Sequence, residues 1–387
     1  MNRRLAILGA GPIGVEAAVA AAERGYDVRV FERGVVGDSM RKWSHVHMFS
    51  PFEMNASVLG REKVHAEVGT VPNDMALLGG GEFAVEYLEP LASTLGNRVS
   101  LFTEVVGVAR TGVLKGELIG ESERAKYPFR LLMRRGKEVW DETADVIFDC
   151  TGTFCTPNPL GDGGLGTPGE QFCSDRIEYG IPNVDNDAYL RKRVMVVGCG
   201  HSAATVVRNL VGLADTRVIW LKRRFAELPC ATIENDVLPA RSDLIECVNE
   251  LVASGVVDFR PGCRVLSLAR VRGGAEVRIA TPKGETIEFV DRIVGATGFR
   301  PDLGLARELQ AKTCYATEGT FNLAAALLGE KGGDCLSLGG FGPETLQHPE
   351  PGYFVLGMKS YGRTTDFLIR TGLEQIQNLL DLLEATR

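Results

Sequence analysis

Two short glycine-bearing stretches hold the residues best suited to chemistry. Gly9, Gly11 and Gly14 stand in "GAGPIG" after the apolar run Leu5 to Leu8. Gly198, Gly200 and Ala203 repeat the spacing in "GCGHSA" after Arg193 to Val197, with alanine as a permitted third member. In this pattern the first glycine makes a tight turn, the second lets the backbone approach a diphosphate, and the third brings helix and sheet together. The following helix start offers free N–H groups and a positive dipole end to the anion. His201 and Ser202 open the second such helix.

The next strand distinguishes the two sites. After the first stretch, the strand "VRVF" ends in Glu32, 23 residues beyond Gly9, where a carboxylate accepts hydrogen bonds from an adenosine ribose. After the second, "TRVIWLKRRF" ends in Lys222, Arg223 and Arg224, and arginine there suits a ribose carrying a 2′-phosphate. The second cofactor is therefore expected to be NADPH.

These elements imply an α/β chain with two Rossmann-like dinucleotide-binding domains. "DVIFDCTGT" and "DRIVGATGF" repeat an apolar strand running into Thr151-Gly152 and Thr297-Gly298. Pro157, Pro159, Gly161, Gly163, Gly164, Gly166, Pro168 and Gly169 crowd one linker. The expected organisation is a first domain over 1–156, an inserted second domain over 157–297, and a return to the first over 298–387. A strand at Tyr353–Leu356 and a helix carrying Ile369, Leu373, Ile376, Leu380 and Leu383 on one face complete the return. Thr364 or Thr365 is the expected N-cap, with Asp366 in the first turn.

Composition sets limits. A length of 387 residues, 44% hydrophobic and 24% charged, fits an ordinary globular protein of two or three domains. A net charge of -7 argues against a nucleic-acid partner. Nine irregularly spaced cysteines point to a reducing cytoplasm, and no paired CxxC motif suggests a metal. The N-terminal apolar run reads as a glycine fingerprint followed by its second strand rather than a signal peptide. Elsewhere no uninterrupted run of about 18 apolar residues suggests a membrane span. The expected partner is a small-molecule substrate, with a homodimer left open.

The chain resembles the two-dinucleotide-binding-domain flavoproteins, the superfamily of thioredoxin reductase, flavin-containing monooxygenases and N-hydroxylating monooxygenases. The resemblance rests on "GAGPIG" with Glu32, "FTEVVGV", "DCTGT", "GCGHSA" with "KRR", "DRIVGATGF" and "FVLGMKSYG". Within it the chain is similar to a bacterial group of NAD(P)-binding flavoproteins marked by "HVHMFSPFEMN", "EYGIPNV" and "KSYGRTTDFLIRTGLEQ". The resemblance implies FAD at the first site, held by Gly9, Gly11, Pro12, Ile13, Gly14, Glu32 and Arg33, with Val105 by the adenine. Met40, Arg41, Trp43, Thr151, Gly152 and the segment Gly357 to Thr365, including Lys359, are expected near the rest of the cofactor. NADPH falls to Gly198, Gly200, His201, Ser202, Ala203, Arg223, Arg224, Thr297 and Gly298.

Disulfide reductases of this superfamily carry CxxxxC or CxxC at fixed places, and this sequence has neither there. The leading expectation is an NADPH-dependent monooxygenase acting on nitrogen or sulfur through a C4a-peroxyflavin. The alternative is a thiol or disulfide reductase of the thioredoxin reductase-like type using Cys150 and Cys155. Since the cofactors perform the chemistry, the protein supplies orientation and electrostatics. Asn55 or Ser50 is expected to bond the flavin N5 side, and Lys359 to stabilise a reduced, anionic ring. His45 and His47 fall on one face of an extended segment, with His47 the candidate for proton transfer.

Overall fold

The structure, a computed structural model, describes residues 3–185, 187–234, 236–329, 341–365 and 367–386. β1 (Arg4–Leu8) is an apolar run buried on both faces, as the centre of a parallel sheet requires. Leu5 and Ile7 pack among the helices, while Ala6 and Leu8 pack on the other face with the residues of an antiparallel sheet. α1 (Pro12–Glu23) then leads to β2 (Asp27–Phe31), which lies parallel to β1. Buried Ala17, Ala18, Ala20 and Ala21 give this helix a low profile against its neighbours.

Several helices, among them α2 (Phe52–Asn55) and α3 (Val58–Val68), precede β3 (Val99–Ser100). The antiparallel sheet β4 (Glu104–Arg110), β5 (Phe129–Arg135) and β6 (Glu138–Ala144) comes next, and β7 (Val146–Asp149) returns to pair with β1.

The next segment repeats the plan. β8 (Ile177–Tyr179) comes first, then β9 (Arg193–Gly198), α4 (His201–Val211) and β10 (Arg217–Lys222). After α5 (Pro239–Ala253) come β11 (Asp258–Pro261) and the antiparallel β12 (Arg264–Val271), β13 (Gly274–Thr281) and β14 (Gly284–Val290). β15 (Arg292–Ala296) then pairs with β9. The chain ends with β16 (Tyr353–Val355), α6 (Met358–Tyr361) and α7 (Ile369–Ala385).

The two parallel sheets have orders β16-β7-β1-β2-β3 and β8-β15-β9-β10-β11. Each places the fingerprint strand centrally, with the strand after the helix on one side and the strand after the antiparallel sheet on the other. The fifth place differs: the chain's last strand fills it in one sheet, and a strand preceding the fingerprint fills it in the other.

By contacts the chain divides into one unit of Met1–Thr156 with Arg300–Arg387 and a second of Pro157–Phe299. Re-entry therefore lies two residues beyond the expected 298. Asn158 donates from its backbone to Gly298 O at 2.9 Å and from its side chain to Thr297 O at 3.2 Å, and Pro157 bridges Phe299. These bonds hold Thr297–Phe299 in the second unit.

The start of α7 also differs from expectation. Its N-cap is Leu368, with no side-chain cap, and neither Thr364 nor Thr365 occupies that place. The Thr364 hydroxyl donates back to Tyr361 O at 3.0 Å, and Phe367 meets the Tyr361 ring edge-on at 5.4 Å, which delays the first turn. Asp366 lies outside the described residues. Further along, Ile376, Leu380 and Leu383 are buried, with Ile369 and Leu373 partly so.

No described helix is long and apolar enough to cross a membrane. Among the described residues no group of three or more His, Cys, Asp or Glu side chains is placed to hold a metal ion.

One buried ion cluster ties the connection between β4 and β5 to the chain's return. Glu350 accepts from Arg110 Nε at 2.7 Å, Arg124 Nε at 3.0 Å and the Gln310 backbone at 2.8 Å. All three charged side chains are essentially inaccessible. Burial pushes the Glu350 carboxyl up, but Arg124, the Gln310 amide and Arg110 together hold it below the usual carboxylate range. Removing one member of such a cluster leaves uncompensated buried charge. Glu350→Ala is therefore expected to lower stability by about 3–5 kcal/mol, read as a fall in the urea midpoint. A loss under about 1 kcal/mol, the scale of a surface pair, would show that solvent already screens the cluster.

Candidate functional site

At the first fingerprint, Gly9 turns with φ +98°, and a Cβ there would lie 2.8 Å from Cys150 O at the end of β7. A Cβ on Gly14 would lie 2.0 Å from Gly9 O, so glycine brings α1 against the turn. Gly11 is the N-cap of α1; no side chain caps it, the first turn carries no acid, and a Cβ there would meet nothing within 4 Å. Pro12 occupies the first helical turn, where its missing N–H is no loss, and Ile13 is buried behind it. The result is an open, electropositive helix start facing empty space.

Glu32 stands behind this turn, largely buried. Its carboxylate accepts from Ala10 N and Gly34 N, both at 2.8 Å, leaving further lone pairs for a diol. Arg33 contacts the Cys155 sulfur. Val105 is half-buried on β4, beside a bulge between Val105 and Gly107.

The second fingerprint is built the same way. A Cβ on Gly198 would lie 2.2 Å from Ala296 O at the end of β15, while one on Gly200 would meet nothing within 4 Å. The buried Trp220 indole donates to Gly198 O at 3.0 Å and steadies the turn. Gly200 is the uncapped N-cap of α4, whose first residues are His201, Ser202 and the fully buried Ala203. Beyond β10, Arg223 and Arg224 are exposed, and neither guanidinium makes an ion pair or hydrogen bond among the described residues. Lys222 instead donates to Pro229 O at 2.7 Å. Thr297 donates to Asn158 O, and Gly298 takes φ +82° beside it.

The side chains expected to be catalytic sit in quite different surroundings. Ser50 and Asn55 are buried and bonded to each other: the Ser50 hydroxyl donates to Asn55 Oδ1 at 2.9 Å, and the Asn55 amide donates to Ser50 O at 3.0 Å and Pro51 O at 3.1 Å. They lock the entry to α2. His47 is exposed and bridges Gly79, whereas His45 sits in a turn, so the two do not share an extended face. Met40 is buried in the core and Trp43 packs against it, while Arg41 donates to Val36 O at 3.1 Å and pairs with Glu89.

Lys359 is neither an exposed loop lysine nor a free cation. Only 4% of its side chain is exposed; its ammonium donates to Asp149 Oδ2 at 2.7 Å and Thr151 Oγ at 2.9 Å. Asp149, fully buried at the end of β7, also accepts from the Tyr353 hydroxyl at 2.8 Å and the Thr151 hydroxyl at 2.6 Å. Gly152 comes next, with φ +68°. The His348 ring lies 5.6 Å from that of Tyr353, and burial pushes it down to about 4, so it is neutral at pH 7.

This cluster joins three segments of the first unit. Gly9 packs on Cys150, Lys359 holds Asp149 and Thr151, and Gly357 sits where a Cβ would lie 3.0 Å from Ile13. Gly357 N donates to Gln375 Oε1 at 2.9 Å, adding α7. Asp149, Tyr353 and Gln375 were missed by sequence reasoning, because only the assembled core pairs them. An acid closing the apolar run "VIFD" was the one signal that pointed there.

Burial pushes the Asp149 carboxyl up, but the charge and hydrogen bond of Lys359, with those of Thr151 and Tyr353, hold it below its ordinary value. A carboxyl depressed in the folded state contributes stability above its unfolded pKa of about 3.9 and loses it as pH falls through the folded value. Asp149→Asn should therefore cost about 3 kcal/mol at pH 7 by stranding the Lys359 ammonium. The gap from wild type should narrow below about pH 4, as urea unfolding across pH 3–7 would record. A gap independent of pH would contradict the ion-pair assignment.

Residues 6–124 match the family model described as pyridine nucleotide-disulphide oxidoreductase. No curated protein matches the sequence. Among solved structures, the bacillithiol disulfide reductase Bdr (YpdA) from Bacillus cereus is similar at 17% identity, with TM-score 0.74 and all of both chains covered. The ornithine N-hydroxylase KtzI of Kutzneria sp. 744 is similar at 16% identity and TM-score 0.66, again with complete coverage of both. Thioredoxin reductase from Lactococcus lactis is similar at 16% identity and TM-score 0.63, covering 99% of this chain and 100% of that one. Over its whole length the chain has the fold of the two-dinucleotide-binding-domain flavoproteins.

Proposed function

We propose that the protein is an NADPH-dependent FAD oxidoreductase, and within that class a monooxygenase that oxygenates nitrogen or sulfur of a small substrate. The observation that carries the broader reading is the doubled site: two uncapped helix starts behind tight glycine turns, one backed by Glu32 and the other by exposed Arg223 and Arg224.

The residues fit both cofactors. Open space above Gly11 and Gly200 leaves room for a diphosphate at each helix start. Glu32, anchored through Ala10 and Gly34, presents its remaining lone pairs to an adenosine ribose. Val105 would lie by the adenine, and Gly357 to Thr365 by the isoalloxazine. Arg223 and Arg224 would clamp a 2′-phosphate with charge-assisted bonds. FAD, when bound, supplies two-electron chemistry between NADPH and an acceptor. The Asp149–Lys359 pair then acts by holding Thr151 and the Gly357 loop in register. Exposed His47 is the candidate to exchange protons with a substrate.

A second reading, a thiol or disulfide reductase, is favoured by the family model and by the likeness to bacillithiol disulfide and thioredoxin reductases. Of its two candidate thiols, Cys150 is poorly suited. Cys150 is half-buried, and desolvation together with the Asp149 charge pushes its thiol well above the ordinary value, which disfavours a thiolate nucleophile.

Arg223→Ala with Arg224→Ala should weaken NADPH binding about tenfold or more, from loss of roughly 1.5–3 kcal/mol per charged hydrogen bond, while NADH binding stays within about twofold. Fluorescence titration with each nucleotide decides it, and equal losses for both would refute the phosphate assignment. The branches separate on mixing NADPH-reduced holoenzyme with oxygen. In a monooxygenase the oxidised flavin spectrum returns after oxygen is consumed; in a reductase or oxidase the two coincide. Anaerobic NADPH titration that takes up two electrons per flavin beyond those of FAD would establish the reductase.

A further inference from the structure

α7 meets the first fingerprint helix at a position without a side chain. A Cβ on Gly372 would lie 2.3 Å from Ile13 Cδ1, and one on Gly357 would lie 3.0 Å from Ile13 Cγ1, so α7 and the Gly357 turn both press on the start of α1. Gln375 stands three residues beyond Gly372 and shares its side of the helix. There the Gly357 N–H donates to Gln375 Oε1 at 2.9 Å, the Gln375 amide donates to Ser360 Oγ at 3.0 Å, and the Ser360 hydroxyl donates to Gly357 O at 2.7 Å. This cycle runs in one direction only. A backbone N–H can only donate, which fixes the amide oxygen toward Gly357; the amide nitrogen then donates to Ser360, whose proton is left for the carbonyl. Gln375 is 6% exposed and Ser360 is wholly buried, so removing a member leaves a buried polar group unpaired. The glycine so held has φ +70° and ψ -156°, a region essentially reserved for glycine, which persists only where the surroundings over-determine it.

From this hydrogen-bonded cycle we propose that Gln375 is a positioning residue for the flavin: reaching from α7, it fixes both polar backbone groups of Gly357 and with them the course of the loop that follows. The proposal rests on the reading of the first unit as the FAD site, with Gly357 to Thr365 by the isoalloxazine. Leu356 N donates to Asp149 O at 3.0 Å, so β7 fixes the chain up to that residue. Lys359 is fixed in turn by Asp149 and Thr151. Gly357 and Met358 lie between these anchors, and glycine has the widest choice of backbone conformation. Gln375 removes that choice. Its loss frees the peptides on either side of Gly357 to rotate while the sheet and the Asp149–Lys359 pair stay in place, so the backbone beside the isoalloxazine is no longer preorganised. Gly200, Arg223 and Arg224, which serve NADPH in this reading, belong to the other unit.

The test compares Gln375→Met, close in volume but without the amide, with Ser360→Ala and the double variant, all in the full chain. Each is stripped of flavin and titrated with FAD, its urea midpoint is recorded, and NADPH binding is followed on the reloaded protein. Gln375→Met should weaken FAD binding about tenfold or more and shift the visible flavin bands, while Ser360→Ala should weaken it about threefold. The double variant should bind no more weakly than Gln375→Met alone, because the serine acts through the amide. NADPH affinity should stay within about twofold of wild type. A Gln375→Met protein that loses stability but keeps wild-type FAD affinity and flavin spectrum would make the glutamine a packing residue and overturn the proposal, as would equal losses of FAD and NADPH. Should Gln375→Met fail to fold, Ser360→Ala decides, and unchanged FAD affinity there overturns the proposal. A wild-type chain that takes up no FAD would instead refute the reading of the first unit, so the two failures are distinguishable.

Discussion

The architecture turns on a carbonyl oxygen pressed against a position that has no side chain. Cys150 O meets Gly9 in the first unit, and Ala296 O meets Gly198 in the second. Each contact aligns the end of a neighbouring strand with the end of the fingerprint strand. Thr151-Gly152 and Thr297-Gly298 therefore leave their sheets beside the uncapped helix starts. The paired Thr-Gly motifs are thus the far side of the same steric constraint that places the glycines. Ala203 marks how far the plan tolerates change, since its methyl is accommodated at full burial.

The first unit adds a polar constraint that the second does not repeat. Asp149 ends β7, whereas Ala296 ends β15. The acid holds Lys359, Thr151 and Tyr353 in one buried cluster. Exposed pairs such as Arg270 with Asp175, or Arg264 with Asp162, are worth about 0–1 kcal/mol and set little. In a buried cluster, loss of one partner strands another, so the geometry around it is strongly specified.

The glycine turns were legible because they depend on backbone space, and only small residues meet that demand. The central strands were legible for a related reason: Leu5 to Leu8 and Val194 to Val196 are apolar on both faces, as buried parallel strands must be. Side-chain roles were less legible because they depend on distant partners. Lys359 finds Asp149 at a separation of 210 residues, and nothing local distinguishes it from a loop lysine. Ser50 and Asn55 bond each other five residues apart, a local pairing that residue type alone does not announce. At the start of α7 the same local competition operates, with the Thr364 hydroxyl drawn back to Tyr361 O.

The provenance of the fifth strand bears on how the polypeptide matures. β16 and α7 follow the inserted unit in sequence, yet β16 pairs with β7 and α7 packs on α1, both of which precede it. During synthesis the nested half, continuous from Pro157 to Phe299, has all its strands while its host still lacks an edge. The unpaired side of β7 and the apolar flank of α1 stay uncovered until β16 and α7 have been made, so the outer unit is the part most exposed to aggregation during synthesis.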